Sequence, residues 1–440
     1  MSQKGKKFLL ISALTLFWII ISINSYGTGD VKLWLSWARQ FNESGFWENF
    51  YELSDIPLLT TMFVHLSGYL TKIIYGTINE SSFPDVLKIL QIPFLLIIVK
   101  FSLSFLKKSK RMALSSPIIL MLLLNPAIIL NLGFLGYLDI LFATSLIGSV
   151  YLLNLLNLKK RHSQINAIIF FAVLVIAPFI KPQFIMFLPI LMIFGIIIIF
   201  KNSLIKASLT GLLIGVILIL ISISVGSGSL KEVFIRLNWI YTIFGGRIMG
   251  QAFVVANFPN AWQVYNFIYH HCVSSCSLNT IFYQELGYWI DKPLAMSGKK
   301  LFYSAVIFYG FFFIKGLFSK SSLILRKSYT KTVIVASLWM NVIYSFFNTS
   351  VHENHLIATV FLSVLLFAIE PNAKNFKIFI YFTLINFIIL YYYYGFGLSG
   401  FNGYLPPHNF GGISITALLI FIYGGSLIYF TRRLIKGYLE

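Results

Sequence analysis

Two carboxylates follow the first apolar stretch of the chain. Asp30 ends the sequence Tyr26-Gly27-Thr28-Gly29-Asp30, and Asp55 opens the sequence Asp55-Ile56-Pro57-Leu58. A carboxylate whose pKa is tuned by its neighbours can accept the proton of an alcohol, so two acids in one segment indicate a candidate general base. Each acid also has a structural interpretation, because Asp is a favoured helix N-cap and Pro often occupies the first helical turn.

A third acid and a lysine interrupt later apolar stretches. Asp139 follows a glycine-containing break and begins an apolar run, where a charge is costly unless it is paired or hydrated. Lys181-Pro182-Gln183 separates two short apolar runs and is either an ordinary polar turn or a ligand-binding break. On the outer face of a membrane, Lys181 would oppose the positive-inside rule and would require an anionic partner.

Polar residues of two further segments have the chemistry to bind an anion. The sequence His352-Glu353-Asn354-His355 is either a polar turn between helices or a His/Glu pair that binds a polar substrate or a phosphate. Arg247 follows two glycines, an arrangement in which backbone and guanidinium can approach a phosphate together. Both segments are therefore candidates for substrate binding.

One cluster has the residue types of a metal site without its spacing. His270-His271-Cys272 and Cys276 lie close together, but no second pair of Cys or His follows at the distance that zinc ligation requires. We predict no metal site here. A disulfide between the two cysteines and plain packing are the remaining interpretations.

The composition identifies the kind of molecule that must position these residues. Of 440 residues, 58% are hydrophobic and 11% are charged, and the mean hydropathy is +0.82. A soluble domain has about 25% charged residues, and long continuous apolar runs exclude a disordered chain, a secreted disulfide scaffold and a transmembrane β-barrel. We predict one all-α polytopic membrane domain over 1–440, with about twelve transmembrane helices. The apolar runs lie near 8–26, 86–106, 113–131, 137–157, 164–180, 184–200, 207–225, 301–318, 330–348, 355–370, 376–394 and 412–431.

Charge segregation assigns the two faces of this domain. The net charge of +20 comes from short basic clusters between apolar runs, which is the positive-inside pattern and not that of a nucleic-acid-binding surface. With both termini cytoplasmic, every basic cluster lies inside, and of the fourteen acids only Glu370 and Glu440 do. The long outer segments are then 27–85, which we expect to contain interfacial helices, and 226–300.

The order of these motifs resembles that of the GT-C superfamily, glycosyltransferases that use polyprenyl-phosphate sugars as donors. The chain is similar in particular to the ER glucosyltransferases that extend the N-glycan precursor and to bacterial O-antigen glucosyltransferases. The similarity extends over about 26–370 as short motifs in one order. The motifs are Asp30, Asp55-Ile56-Pro57-Leu58, Asn125-Pro126-Ala127 leading to Gly136 and Asp139, Lys181-Pro182-Gln183, Arg247 before Ala256-Asn257 and Trp262, and His352-Glu353.

The resemblance implies a GT-C-like fold with juxtamembrane helices on the outer face, and it implies roles for the acids. Asp30 matches the position of the general base of the family, and Asp55 matches the acidic position of its acid-Tyr-Pro-Pro motif. This chain has Ile56 and Leu58 where the motif has Tyr and the second Pro. Asp139 is a further candidate for binding the donor phosphate or another part of the substrate.

The resemblance also implies which residues bind the donor. Lys181 and Gln183 match a Lys-x-Gln motif, and His352 and Glu353 match a His-Glu motif whose third residue is usually basic but is Asn in this chain. Arg247 matches an arginine upstream of the Ala-Asn sequence. Cations at the headgroup level would hold the donor phosphate, and Lys181, Arg247 and His352 are the candidates.

The expected function is inverting transfer of a hexose, with glucose favoured, from a polyprenyl monophosphate to a hydroxyl of a lipid-linked oligosaccharide. The expected location is the outer face of a bacterial inner membrane, in contact with membrane lipid, without nucleic acid and without a cofactor. One alternative is a transporter or flippase of lipid-linked sugars, although such proteins commonly have repeats and broken helices near the midplane. Another is an O-antigen polymerase, which has a different motif order.

Overall fold

A computed structural model describes most of the chain. The description covers residues 3–23, 25, 27–108, 112–157, 162–243, 253–256, 260–262, 288–290, 292–319, 329–349, 351–395, 409–410, 413–414, 418–426, 428–429 and 432. Within helices the side chains of 3–4, 107–108, 112, 292, 305, 308–309, 311–319, 353 and 393 are outside the description.

Helices make up nearly all of the described structure. In chain order they are α1 Gln3–Ser22, α2 Gly29–Ser44, α3 Phe46–Leu53, α4 Leu58–Tyr75, α5 Ser82–Ile89, α6 Ile92–Lys108, α7 Ser115–Leu123, α8 Pro126–Ile128, α9 Asp139–Asn157, α10 Ser163–Ile176, α11 Leu188–Asn202, α12 Ile205–Ser224, α13 Leu230–Thr242, α14 Lys292–Ser319, α15 Tyr329–Phe347, α16 Ala358–Ile369 and α17 Ala373–Tyr394. A last helical segment occupies 418–426 and 428–429. Two antiparallel strand pairs accompany the helices, Phe253–Ala256 with Tyr288–Ile290 and Asn409–Phe410 with Ile413–Ser414.

The prediction of an all-α polytopic membrane protein is confirmed at this level. Among the described residues, eight helical stretches are long and apolar enough to cross a membrane, and Ser163–Phe179 and Asn354–Ile369 are shorter apolar helices. The number of twelve spans stays a prediction. The predicted span 412–431 is described only in part, and the predicted span 301–318 lies within α14.

Two helix boundaries differ from the prediction in a way that affects the site. Helix α14 begins at Lys292, nine residues before the predicted span, because Pro293 in its first turn loses no helical hydrogen bond there. The predicted span 113–131 is interrupted at Asn125, whose side chain accepts hydrogen bonds from the N–H groups of Ala127 and Ile128 and caps a new helical turn. That turn continues as a wider helix to Phe134.

The core of the bundle consists of the most deeply buried helices. In helix α15, 78% of the 18-residue apolar stretch is buried, and in α9 the buried share is 67%. In α12 it is only 28%. A helix that is apolar on all sides and buried on all sides lies at the centre of a bundle, and one with an exposed apolar surface lies at its periphery. The central position of α9 and α15 places the polar residues at their ends in the interior of the molecule.

Helices α2, α3 and α4 form a layer at one end of the bundle. Helix α2 buries its apolar face, which includes Val31, Trp34 and Phe41, and its other face is exposed. Helix α4 has 18 residues but is not among the stretches apolar enough to span a membrane. The interfacial position of the helices in 27–85 stays a prediction, and the arrangement places the start of both α2 and α4 next to the central helices.

Candidate functional site

A cavity of about 430 Å³ lies where this layer meets the bundle. Its volume is within the range of small-molecule sites, about 300–1,000 Å³. Five of the predicted site residues line it, although they come from four separate parts of the chain. These residues are Asp30, Asp55, Lys181, Gln183 and His352. The remaining wall consists mainly of aromatic and aliphatic side chains, among them Trp34, Tyr137, Met186, Phe302 and Tyr344.

Asp30 lies in the first turn of α2 and is exposed to the cavity. Thr28 occupies the N-cap position of α2, so the interpretation of Asp30 as the helix cap is wrong. Gly27 adopts φ +84°, a left-handed conformation that favours glycine, and the Thr28 N–H donates to the Leu135 carbonyl over 3.2 Å. The turn before Asp30 is therefore fastened to the segment that precedes α9.

Lys88 strengthens this attachment from below. Its side chain is 1% exposed, and its ammonium donates to the Ser25 carbonyl and, over 2.6 Å, to Ser25 Oγ. Ser25 Oγ in turn donates to the Gly133 carbonyl over 2.8 Å. A buried lysine is costly unless it is hydrogen-bonded, so these bonds favour one position of the Ser25 turn. Because Asp30 follows this turn closely, its position is restricted as well. Sequence reasoning missed Lys88, although a lysine at the start of an apolar run was a visible signal.

Asp55 is exposed to the cavity and lies just before α4. The N-cap position of α4 is Pro57, so Asp55 does not cap this helix. Ser54 organises the helix start instead, because its hydroxyl forms a 2.7 Å hydrogen bond with Thr61 Oγ1 and a 2.9 Å bond to the Ile56 carbonyl. The Thr60 hydroxyl donates to the Ile180 carbonyl, which joins α4 to the segment of Lys181.

Asp139 and Lys181 form an ion pair beneath the cavity. Asp139 is 1% exposed and Lys181 is 19% exposed, and Asn354 Nδ2 donates to Asp139 Oδ2 over 2.9 Å. The anionic partner that the sequence required for Lys181 is thus a residue of the protein. Asp139 does not line the cavity, and its charge offsets that of Lys181. This pair joins the start of α9, the break before α11 and the turn after α15.

A second network connects the two histidines of that turn with Gln183. The backbone N–H of His352 donates to His355 Nδ1 over 3.2 Å, so this nitrogen carries no proton. A neutral His355 then has its proton on Nε2, which lies 2.9 Å from the amide of Gln183. The amide oxygen must face this N–H for the pair to be a hydrogen bond, and that orientation also satisfies an otherwise unpartnered buried oxygen. His355, which the site prediction omitted, therefore positions Gln183.

His352 is held as a neutral imidazole. Its ring accepts a hydrogen bond from the backbone of His355, reciprocal to the bond described above. The pKa of His352 is lowered to about 4, chiefly by burial, and the charge of Asp30 opposes this shift while that of Lys181 adds to it. The ring is consequently uncharged near neutral pH and offers the cavity a hydrogen-bonding group. This differs from the predicted role of His352 as a cation for the donor phosphate.

Lys299 supplies a cation that sequence reasoning missed. It lies in α14, is partly exposed and lines the cavity together with Tyr303 on the next turn of the helix. The prediction ended the large outer segment at 300, which left Lys299 in a loop. An amphipathic reading of the residues before the apolar run would have extended the helix back to it.

Three predicted features lie wholly or partly outside the described residues. Arg247 and the sequence that contains Cys272 and Cys276 are not described. Glu353 is described for its backbone only, which begins the short helical turn Glu353–Leu356. The described site therefore contains carboxylates on the α2–α4 side, a neutral imidazole, and ammonium groups on the bundle side.

No protein-family model and no curated protein sequence matches this chain. An exposed carboxylate can accept a proton, and an ammonium group across an apolar-walled cavity can bind an anion. Aromatic walls suit the apolar faces of a sugar ring or a lipid chain.

Proposed function

We propose that the protein is an inverting glycosyltransferase that moves a hexose, with glucose favoured, from a polyprenyl-phosphate donor to a hydroxyl of a lipid-linked glycan. The observation that supports this proposal best is the convergence of Asp30, Asp55, Lys181, Gln183 and His352 on one cavity. Motif order in the sequence predicts these residues as one site, although they are separated by up to 322 positions. The GT-C-like fold and the location in a bacterial inner membrane, with the cavity on the outer face, belong to the same proposal.

In the proposed reaction the acceptor hydroxyl oxygen attacks the anomeric carbon from the face opposite the phosphate. A carbon–oxygen bond forms to the acceptor, and the bond between the anomeric carbon and the phosphate oxygen breaks, which inverts the configuration. Asp30 takes the hydroxyl proton, and the electron pair leaves with the polyprenyl phosphate. A phosphate monoester is a good leaving group near neutral pH, so the step uses no metal ion.

The position of Asp30 suits this role for two reasons. Its turn is fastened by the contacts of Ser25, Thr28 and Lys88, and a base held in a fixed position loses less entropy when the reacting groups align. The neutral His352 lies near enough to interact with the Asp30 charge. A neutral ring can hydrogen-bond to a substrate hydroxyl or to the carboxylate without protonating it.

The donor phosphate is assigned to Lys299 in addition to the predicted Lys181. Because Lys181 is paired with Asp139, it contributes less net charge to a ligand than an isolated lysine would. Lys299 lies on α14 and lines the same cavity as Asp30 and Asp55, and Tyr303 adds a hydroxyl one turn away. A donor with its phosphate near Lys299 would place the sugar between this helix and the carboxylates.

The test is incubation of the purified protein with a panel of polyprenyl-phosphate hexoses and a lipid-linked glycan acceptor. The expected result is release of polyprenyl phosphate together with a glycan one hexose larger and of inverted configuration. The double variant Asp30→Asn/Asp55→Asn should abolish both products. Its matched control is Glu43→Gln/Glu48→Gln, which neutralises two exposed carboxylates of the same layer outside the cavity and should retain activity.

If the wild-type protein moves intact lipid-linked sugar across a vesicle membrane and leaves the sugar–phosphate bond unbroken, the proposal is contradicted in favour of a transporter. Equal loss of transfer in both double variants would also contradict it, because the loss would then come from the change in overall charge and not from the carboxylates of the cavity. A product extended by several repeat units from one donor would identify a polymerase.

A further inference from the structure

A second cavity lies at the opposite end of the bundle. It has a volume of about 530 Å³ and lies between the N-terminal half of α17 and the last helical segment. Helix α16 runs from the turn of His355 to Glu370, and α17 begins at Ala373, so this groove opens at the far end of α16 from the first cavity. The residues that line it are Ala373, Lys374, Lys377, Ile378, Tyr381, Ile422, Gly425, Ser426 and Tyr429.

The groove is polar at its mouth and apolar along its length. Lys374 and Lys377, three residues apart, present two exposed ammonium groups at the start of α17. The Tyr381 hydroxyl donates to the Ile422 carbonyl over 3.2 Å and closes the groove at its inner end. From Lys374 to Tyr381 the helix rises about 10 Å, which is the depth available below the headgroup level.

Small residues keep the groove open. A Cβ atom built on Gly425 meets no atom of the described residues within 4 Å, and Ser426 follows it on the same wall. The acid nearest in sequence, Glu370, is 2.6 Å from Lys331 and therefore binds a different lysine. Positive charge at the mouth and an empty apolar space beneath it are complementary to an anionic headgroup that carries an acyl chain.

We propose that this groove binds one anionic glycerophospholipid of the leaflet opposite the first cavity. Its phosphate lies between Lys374 and Lys377, and one acyl chain extends along Ile378 and Ile422 toward Tyr381. The site is independent of the proposed glycosyl transfer, because it shares no residue with the first cavity. Such a lipid fills the space between α17 and the last helical segment and holds them together.

The test is native mass spectrometry of the full-length protein in detergent, titrated with phosphatidylglycerol or with phosphatidylcholine. Wild type should retain one phosphatidylglycerol more tightly than phosphatidylcholine. The variant Lys374→Ala/Lys377→Ala should weaken retention of phosphatidylglycerol roughly 25-fold, at about fivefold for each lysine near an anionic headgroup, and should leave phosphatidylcholine nearly unchanged. Its control is Lys201→Ala/Lys206→Ala, two exposed lysines at the same predicted face outside the groove.

A second pair of variants tests the space and not the charge. Gly425→Leu fills the groove and should weaken retention of both lipids, whereas Gly310→Leu, whose Cβ also meets no described atom within 4 Å, should not. Equal effects of the two lysine pairs would overturn the proposal in favour of unspecific surface charge. Unchanged retention in Gly425→Leu would overturn it as well, because no acyl chain would then occupy the groove.

Discussion

The two sides of the first cavity use the same residue type in opposite ways. Asp30 on the layer side and Asp139 on the bundle side both lie in the first turn of a helix. Asp30 is exposed to the cavity, whereas Asp139 is 1% exposed and binds Lys181 and Asn354. A carboxylate buried against a lysine stabilises its surroundings, whereas one exposed to a cavity can reach a bound molecule and accept a proton from it. The comparison therefore distinguishes, within one site, a carboxylate that can reach a bound molecule from one that stabilises the fold.

The largest expected effect is on turnover by Asp30→Asn. Removal of a general base costs about 10²–10⁴-fold in rate, and it should appear in kcat while the KM for the donor changes little. Folding should survive, because Thr28 and not Asp30 occupies the N-cap. Steady-state kinetics of purified variants measure this, with Asp55→Asn as the comparison in the same cavity.

A kcat of Asp30→Asn within a few-fold of wild type would transfer the role of base to Asp55. If both single variants are active, the difference between the layer side and the bundle side has no catalytic meaning.

Next in size is the effect of Asp139→Ala on stability. Removal of one partner of a buried ion pair costs about 3–5 kcal/mol, and we expect the lower end because Lys181 is 19% exposed and can reach water in the cavity. Denaturant titration of the protein in detergent measures the free energy of unfolding. The double variant Asp139→Ala/Lys181→Met should recover part of this loss, since no uncompensated charge remains.

If the loss of unfolding free energy in the double variant equals the sum of the losses in the two single variants, the two side chains act separately. The ion pair would then not distinguish Asp139 on the bundle side from Asp30 on the layer side.

Lys299→Ala should weaken use of the donor and leave stability nearly unchanged. Loss of a charge-assisted contact to phosphate costs about 1.5–3 kcal/mol, so the KM for the donor should rise roughly 10- to 150-fold. Lys300→Ala is the matched control, because Lys300 is exposed on the same helix and does not line the cavity. Equal KM values for the two variants would place the phosphate elsewhere.

The last prediction concerns His352 and the pH dependence of stability, whose slope at any single pH is small. Its pKa is about 4 in the folded protein, below the ordinary value of 6.5, so between these values the unfolded chain binds more protons than the folded one. Stability should therefore fall as the pH decreases from 6.5 toward 4 and should be fully present above 6.5. Denaturant titrations at several pH values measure this slope, and His352→Asn should reduce it. An unchanged slope would mean that His352 is not the group that titrates.

Local composition was sufficient to predict the class of the molecule, and local motifs indicated five residues that line the cavity. Continuous apolar runs specify membrane helices, because a helix in lipid must satisfy its own backbone hydrogen bonds. Lys181 in an apolar context likewise indicated an anionic partner, since an unpaired charge there is too costly. These inferences depend on single residues and their immediate neighbours, and the sequence contains that information directly.

The sequence alone did not identify which partner each of these residues has. Asp139 and Lys181 are 42 positions apart, and His355 contacts Gln183 across 172. Likewise, Lys299 reaches the cavity only because α14 begins before its apolar run. Tertiary packing decided these pairings, because desolvation in the interior makes a buried carboxylate bind a lysine, while a carboxylate at the cavity stays exposed.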